Sequence, residues 1–275
     1  MSGSILDAMR AAGLAPHKDL DLGDDGQLAR YRVLGDKAGS KNGWVVHHTH
    51  PICSGAFGSW KTGESHTWRE ASTKPQTHQE RAELQRQMQV MRAARDVERE
   101  KVQSEARARA AKLWERARPA TNAHPYLQRK AVGAYGLRQL RDLLLIPARD
   151  AHGELQTLQF IGADGAKRFL SGGRIAGCYC AIGKPADSLL LCEGFATGAT
   201  LFAATGRAVA VCFSAGNLQP VALALRKKFP GLQLIVCADN DATLGNPGLT
   251  RATEAARAVG GLVAVPRFEG FANNV

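Results

Sequence analysis

One stretch of the chain, Ser188 to Asp241, limits its possible folds more than any other. It holds three short apolar runs rich in Leu, Val and Ile, and two segments with helical spacing lie between them. The runs are Leu189 to Cys192, Ala208 to Phe213 and Leu232 to Ala238. Strands that alternate with helices pair in parallel, and both faces of such a sheet are covered. The stretch therefore predicts a β-α-β-α-β unit around a buried parallel sheet.

Two of these apolar runs end in acidic residues. Glu193 and Gly194 follow the first run, and Asp239 and Asp241 follow the third. Ligands of open α/β sheets bind outside the carboxyl ends of the strands, and residues two apart on an extended backbone face the same side. Carboxylates that meet there repel one another, and their oxygens suit Mg²⁺ or Mn²⁺. Taken singly, each acid is better explained as an ordinary surface residue at a strand end.

The complete order is more specific than any single acid. An apolar strand ends in Glu-Gly, and after a helix, a strand and a helix another apolar strand ends in D-x-D. In this order the segment from about Pro185 to Val265 resembles the TOPRIM domain of bacterial-type primases, type IA and type II topoisomerases and several nucleases. The resemblance implies that Asp239 and Asp241 carry the metal, and that Glu193 acts as an acid or base or assists with the metal.

Gly194 stands where a helix is predicted to begin. The N-terminus of that helix could favour a phosphate, so we include Gly194 among the candidate substrate-binding residues. The alternative is that the glycine only allows a tight turn from strand to helix. For Asn217, which follows the second apolar run, a helix cap is the favoured interpretation.

Cations lie at the ends of the strands predicted just before this unit. They are Arg149, Lys167, Arg168 and Arg174. The sequences YLQRKAV, IPARDAHG and KRFLSGG resemble, in the same order, the elements that precede the TOPRIM domain in bacterial primases and form the basic side of the catalytic cleft. The resemblance implies that these cations bind a nucleoside triphosphate or the template. An unspecific scatter of surface cations is the alternative.

The fold class we predict is α/β, with four parts along the chain. A small β-rich N-terminal unit covers residues 1–72, a charged connector helix 73–120, a basic mixed α+β primase subdomain 121–184, and a TOPRIM domain with a parallel sheet and flanking helices 185–275. The connector lacks Gly and Pro from Gln79 to Ala117, and ion pairs such as Glu105 with Arg109 would support a long helix there.

The N-terminal unit is predicted to contain a helix over Ser4 to Gly13 and strands over Ala29 to Leu34 and Trp44 to His48. Its aromatic residues Phe57, Trp60 and Trp68 either form the core or stack on bases with Lys61 near a phosphate, and the core is the favoured explanation. The histidine and cysteine cluster suggests zinc, but adjacent histidines on a strand face opposite sides and no second cluster follows. The cluster consists of His47, His48, His50 and Cys53.

The amino-acid composition indicates what class of partner the chain binds. A net charge of +11 favours a polyanion, because basic surfaces gain affinity from phosphates when counterions are released. The six cysteines include no C-x-x-C pair, and Cys192, Cys212 and Cys237 fall in apolar strand patterns as core residues. No apolar run reaches the length of a membrane span and no signal-peptide pattern is present, so we expect a cytoplasmic protein without a membrane partner.

The resemblance is nearer to primases than to other TOPRIM proteins. It implies metal-dependent nucleotidyl transfer that builds primers on a single-stranded DNA template from NTPs, with a replicative helicase as a further partner. A TOPRIM nuclease would use the same carboxylates, whereas a non-catalytic single-strand-binding module would need neither Asp239 nor Asp241. A topoisomerase is disfavoured because no tyrosine stands in a recognisable nucleophile motif. No G-x-x-x-x-G-K-[ST] phosphate loop is present.

Overall fold

The computed structural model describes residues 4–22, 26–49, 53–70, 78–239 and 247–266, except for the side chains of residues 78–80, 83, 84, 87 and 247. The chain divides into two compact units, Met1–Lys101 and Val102–Val275, and the border falls inside one long helix. The four-part division made from the sequence remains a prediction. Within the described ranges, no helix is long and apolar enough to cross a membrane.

The N-terminal unit contains a short helix and a four-stranded antiparallel sheet. Its elements are α1 (Ile5–Ala11), β1 (Leu28–Tyr31), β2 (Gly43–His48), β3 (Ser54–Ser59) and β4 (Ser65–Arg69), and the strands are neighbours in that order. The predicted helix and both predicted strands are confirmed. Helix α1 begins after Ser4 because the Ser4 hydroxyl accepts from the backbone N–H of Asp7 while the Asp7 carboxylate accepts from that of Ser4.

Both faces of this sheet are covered by apolar side chains. On one face, Ile5 and Met9 of α1 pack with Phe57, which is only 2% exposed. On the other face, Met91 packs with Trp44. Burial of one such side chain stabilises a fold by about 1.5–3 kcal/mol. The aromatic residues at the centre of this sheet therefore serve its core, as the sequence interpretation favoured.

The long connector helix is confirmed as α2 (His78–Arg116). In the second unit, its Ala106 and Ala110 are fully buried. The predicted ion pair between Glu105 and Arg109 is wrong, since these two described side chains do not meet. Arg109 instead donates from Nη2 to the carbonyl oxygen of Ser171, 2.9 Å away. A backbone acceptor brought near by the tertiary fold thus replaces the local partner.

The first sheet of the second unit is antiparallel throughout. Its strands are β5 (Arg118–Pro119), β6 (Arg138–Leu140), β7 (Leu143–Arg149), β8 (Leu155–Ile161) and β9 (Lys167–Phe169), in that order, and α3 (Pro125–Lys130) lies between β5 and β6 in the chain. Tight turns follow β7 and β8, with Gly153 at φ 89° and Gly165 at φ 90°. These positive φ values suit glycine, which has no Cβ.

The second sheet confirms the predicted β-α-β-α-β unit. Its elements are β10 (Cys180–Ile182), β11 (Ser188–Cys192), α4 (Phe195–Thr205), β12 (Val209–Val211), α5 (Ala215–Lys228), β13 (Gln233–Cys237), α6 (Pro247–Ala258) and β14 (Leu262–Ala264). The strand order is β10-β12-β11-β13-β14. All neighbours pair in parallel except β10, which runs antiparallel to β12 and was missed in the sequence. The three core cysteines are buried free thiols, as predicted.

The two sheets of this unit are joined by backbone and core. Arg149 at the end of β7 and Tyr179 exchange two backbone hydrogen bonds, of 2.9 and 2.8 Å. Ile146 and Ile161 of the first sheet share one apolar cluster with Leu190 of the second. Because they share this core, the basic strands are held in a fixed relation to the carboxyl ends of the parallel strands.

Candidate functional site

Two of the three predicted carboxylates lie at one edge of the parallel sheet. Strands β11 and β13 are direct neighbours in register, with Leu191 opposite Val236. Glu193 is the first residue after β11 and Asp239 the second after β13, and both are half-buried. Because parallel strands in register end at the same edge of a sheet, the structure brings Glu193 and Asp239 to neighbouring positions there. Asp241 lies outside the described residues.

The two carboxylates affect the pKa values of neighbouring buried thiols. Burial raises the pKa of Cys192 well above its usual value, and the Asp239 carboxylate adds to that rise. Burial likewise raises the pKa of Cys212, with a further contribution from Glu193. Each carboxylate therefore lies close to a buried thiol that stays protonated near neutral pH.

The donor set at this edge fits a hard divalent cation. Neutral thiols are poor metal ligands, so oxygen atoms are the available donors, and carboxylate oxygens suit Mg²⁺ or Mn²⁺. In the part of the chain that the structure describes, no group of three or more acidic, histidine or cysteine side chains could hold a metal ion. Glu193 and Asp239 thus form two members of a set whose predicted third member, Asp241, is not described.

Two glycines that the sequence analysis did not single out shape this edge. A Cβ at position 198 would lie 2.7 Å from Cγ2 of Val211 and 3.1 Å from Sγ of Cys192, so α4 packs directly on the strands only because residue 198 is glycine. A Cβ at position 248 would lie 2.7 Å from the carbonyl oxygen of Asp239. Gly248 in the first turn of α6 therefore packs against the loop that carries this carboxylate. Helix α4 begins at Phe195, as predicted, and Gly194 is its N-cap, without a side-chain cap hydrogen bond.

Asn217 does not cap a helix, so that interpretation is wrong. Ser214 occupies the N-cap of α5. The buried amide of Asn217 instead accepts from the N–H of Gly177 at 2.8 Å and donates to the carbonyl oxygens of Ile175, Cys178 and Cys212 at 3.2, 2.9 and 2.8 Å. Asn217 thus fastens the segment before β10 to the carboxyl end of β12.

Two of the predicted cations are held by the buried carboxylate of Asp150 and its turn. The carboxylate accepts from Arg174 at 2.9 Å, from Gln156 at 2.7 Å and from the backbone N–H groups of residues 152 and 154. Arg149 donates to the carbonyl oxygen of Gly153 at 2.9 Å. Charge-assisted hydrogen bonds of this kind fix side-chain direction as well as adding stability.

The network extends to α2, which the sequence did not reveal. Arg107 donates to Oε1 of Gln156 at 3.2 Å, and the amide nitrogen of Gln156 donates to Asp150. Arg149 also lies over the Trp114 ring, with 5.8 Å from Cζ to the ring centroid. The helix therefore supports the end of β7 that carries Arg149, and through Gln156 and Asp150 the segment after β9 that carries Arg174. Contrary to the sequence prediction, Arg174 itself is not at a strand end, because β9 ends at Phe169. The spacing of charges along α2 gives no signal of these partners, which lie far away in the sequence.

Lys167 and Arg168 lie on opposite faces of β9. Arg168 pairs across the ladder with Phe160 and lies over its ring at 5.6 Å, on the face that packs against α2. Alternation along the strand puts Lys167 on the same face as Phe169. Phe169 meets Phe213 edge-on at 5.5 Å, and the backbone N–H of Phe213 donates to the carbonyl oxygen of Glu193 at 2.7 Å. Lys167 therefore shares its face with a residue that contacts the carboxylate edge.

In the N-terminal unit, the histidine and cysteine cluster is separated by the strand alternation that the sequence predicts. His47 lies 3.6 Å from Sγ of Cys53, whereas His48 is buried on the other face beside Gly26. His50 lies outside the described residues. Lys61, the predicted phosphate contact, forms a 2.6 Å ion pair with Asp36.

Comparisons with known proteins agree with this architecture. Residues 188–268 match the family described as Toprim domain. Two Escherichia coli proteins, each named DNA primase TraC, are similar over most of the chain. One is 36% identical over 279 residues, which cover 95% of this chain and 19% of that protein, and the other is 35% identical over 257 residues, which cover 89% and 24%. The chain therefore spans about a fifth to a quarter of the length of the curated relatives it matches.

Solved structures show more distant similarity. The primase fragment of the bacteriophage T7 primase-helicase protein has a TM-score of 0.42 at 14% identity, and the match covers 57% of this chain and 69% of that one. A DnaG primase catalytic domain bound to single-stranded DNA has a TM-score of 0.39 at 13% identity, with 64% and 74% covered.

Proposed function

We propose that this chain, in which residues 188–268 form a Toprim domain, is the catalytic part of a DNA primase. The observation that carries the proposal is the pairing of β11 with β13, which brings Glu193 and Asp239 to one sheet edge beside a basic subdomain of the same unit. Similarity to proteins named DNA primase across 95% of the chain supports it. So does the net charge of +11, which favours a nucleic-acid partner.

The proposed reaction is nucleotidyl transfer. A 3′-hydroxyl attacks the α-phosphorus of an incoming nucleoside triphosphate, a new P–O bond forms, and pyrophosphate leaves. Asp239 and Asp241 would hold Mg²⁺ or Mn²⁺, and Glu193 would either complete that site or accept the proton of the 3′-hydroxyl. When bound, the cation supplies positive charge to the phosphoryl oxygens.

Different basic residues would neutralise different phosphate groups. Lys167 is the strongest candidate for the triphosphate, because its face of β9 contacts the carboxylate edge through Phe169. Arg149 and Arg174 are held at the turn of Asp150, where they would bind template phosphates with little loss of side-chain entropy. Arg168 lies on the face toward α2, and we assign it to a template strand that passes there. A single-stranded DNA template and NTPs are the proposed substrates, and a replicative helicase is a proposed partner.

Primer synthesis tests the proposal directly. The chain is incubated with single-stranded DNA, labelled NTPs and Mg²⁺ or Mn²⁺, and the products are resolved on a gel. We expect short, metal-dependent oligonucleotides that disappear with Glu193→Gln. Glu254→Gln is the matched control, since Glu254 is exposed on α6 and pairs only with Arg251 within the described chain.

Other outcomes point to other functions. Shortened DNA would identify a nuclease that uses the same carboxylates, and bound but unaltered DNA would identify a single-strand-binding module. Full synthesis by Glu193→Gln would refute the assignment of this residue.

A further inference from the structure

The N-terminal unit has a cavity that the proposed catalytic site does not use. It has a volume of about 640 Å³ and lies between residues 16–20, strand β1 and the turn at residues 39–41. Backbone pairing joins two of the lining segments, since the N–H of His17 donates to the carbonyl oxygen of Arg32 at 2.9 Å and Pro16 bridges to Val33. Sites for small ligands commonly measure about 300–1,000 Å³, so this one has room for a nucleotide.

Positive charge dominates the lining of this cavity. Four cationic side chains line it, from Lys18, Arg30, Arg32 and Lys41, and Asp19 supplies a carboxylate. Arg30 also pairs with Glu98 at 3.5 Å, so the excess of positive charge comes from Lys18, Arg32 and Lys41. A concave surface lined by one sign of charge concentrates the opposite charge. The cavity therefore favours an anionic ligand.

The two arginines of the lining donate hydrogen bonds to backbone carbonyl oxygens. Arg30 donates from Nη2 and Nε to the carbonyl oxygen of Lys41, at 2.8 and 3.2 Å. Arg32 donates from Nε to the carbonyl oxygen of Asp36 at 2.8 Å. The bonds from Arg30 hold the backbone of Lys41 beside β1, and the bond from Arg32 holds that of Asp36.

The two lysines are available to a ligand. Lys18 and Lys41 are exposed, and within the described ranges neither ammonium group has a hydrogen bond or an ion pair. Lys61 of the same unit differs, since it is neutralised by Asp36 at 2.6 Å. Among the described residues, the cations of Lys18 and Lys41 are therefore unpaired at the cavity.

A polar group at the cavity also lacks a partner. The hydroxyl oxygen of Ser40 is buried and has no hydrogen-bond partner among the described residues. Buried polar groups are nearly always paired, so an orphaned hydroxyl between Gly39 and Lys41 points to a missing acceptor or donor. Tyr31, Pro16 and Leu20 supply the apolar part of the lining, which suits a sugar or a base.

We propose that this cavity binds the phosphate of a nucleotide, either one unit of a single-stranded nucleic acid or a free nucleoside triphosphate. Lys18 and Lys41 contact the phosphate, and the Ser40 hydroxyl hydrogen-bonds to the same ligand. The site is distinct from the carboxylate edge and uses neither Glu193 nor Asp239. It therefore goes beyond the proposed primase activity and does not depend on it.

Lysine acetylation of the whole chain tests the proposal. The chain is treated with an acetylating reagent alone, with saturating oligothymidylate and with saturating ATP, and modification of each lysine is measured by mass spectrometry. We expect acetylation of Lys18 and Lys41 to fall by about threefold or more with at least one probe. Lys37 is the internal control, since it is exposed in the same turn but does not line the cavity.

The two probes separate the two sources of phosphate. Protection by oligothymidylate alone assigns the site to a strand, and protection by ATP alone assigns it to a free nucleotide. Equal protection of Lys37, or no protection of Lys18 and Lys41 by either probe, overturns the proposal. Glu193→Gln should leave the protection unchanged, so failure of the primase proposal and failure of this one are distinguishable.

A paired variant gives a second measurement. Replacing Lys18 and Lys41 together by Gln should weaken binding of the protecting probe. If that probe is the strand, the slope of log affinity against log salt concentration should become shallower by about 0.7 for each phosphate contact that is lost. The control Lys37→Gln should change neither quantity. Unchanged affinity of the double variant for both probes contradicts the proposal.

Discussion

Asp150→Asn should weaken the basic subdomain at the point where it supports Arg149 and Arg174. The Asp150 side chain is 11% exposed and accepts four hydrogen bonds within 3.1 Å. One carboxylate oxygen serves two backbone N–H groups, and the other serves the Gln156 amide and the Arg174 guanidinium. An asparagine has one acceptor oxygen, so in either orientation its NH₂ group faces two donors.

The expected loss of free energy of unfolding follows from the hydrogen bonds that Asp150 accepts. A hydrogen bond to a charged group contributes about 1.5–3 kcal/mol, and a buried donor without an acceptor costs about 1–3 kcal/mol. Arg174 is 35% exposed, so water compensates part of the loss on that side. We therefore expect Asp150→Asn to lower the local free energy of unfolding by about 2–4 kcal/mol.

Hydrogen exchange measures this loss where it occurs. Amides of β7 and β8 should exchange roughly 30 to 700 times faster in the variant, since about 1.4 kcal/mol corresponds to a factor of ten. Asp164→Asn is the matched control, because exposed Asp164 accepts, among the described residues, only the backbone N–H of Ala166 in the neighbouring turn. That control should change by less than about 0.5–1 kcal/mol. Equal acceleration in both variants would refute the reasoning.

The pH dependence supplies an independent check. Burial raises the pKa of Asp150, but hydrogen bonds from residues 154, 152 and 156 and the charge of Arg174 outweigh it, and the pKa lies below its usual value of 3.8. The folded state therefore favours the ionised form, and this stabilisation is present above about pH 4 and lost as the pH falls through the folded pKa. The difference between wild type and Asp150→Asn should shrink in that acid range. A difference that stays constant throughout the acid range would contradict the assignment.

Three further outcomes are expected. Asn217→Ala removes four hydrogen bonds and should destabilise the second unit by about 2–4 kcal/mol in chemical unfolding, and a loss below about 1 kcal/mol would contradict its bridging role. Gly248→Ala should displace Asp239 and reduce primer synthesis about tenfold or more, because the new Cβ would lie 2.7 Å from the Asp239 carbonyl oxygen. The control Gly231→Ala should leave synthesis unchanged, since its Cβ meets nothing within 4 Å. In a thiol-reagent titration at about pH 8, half-exposed Cys53 should react first. Buried Cys180 should react slowly, because burial raises its pKa to about 12 and shields the sulfur from the reagent. Rapid reaction of several thiols would be inconsistent with the described core.

The sequence determined the elements of the second sheet and which acidic residues follow its strands. Apolar runs of strand length alternate with helical segments between Ser188 and Asp241, and this pattern correctly predicted three parallel strands and the residues at their ends. Such predictions succeed because burial and backbone geometry act on neighbouring residues. The absence of Gly and Pro predicted α2 for the same local reason. The short strand β10 was missed because three residues carry too little pattern.

Partners distant in the sequence were decided only by the tertiary structure. The pairing of Asp150 with Arg174, the bond from Arg109 to Ser171 and the bridging amide of Asn217 have no local signal, and two of the three replaced a local partner that the sequence favoured. Alternation alone puts Lys167 and Arg168 on opposite faces, but only the packed sheet shows which face meets α2. Periodicity records which residues share a face, whereas the groups that face one another depend on how sheets and helices pack, and that packing depends on the whole core at once.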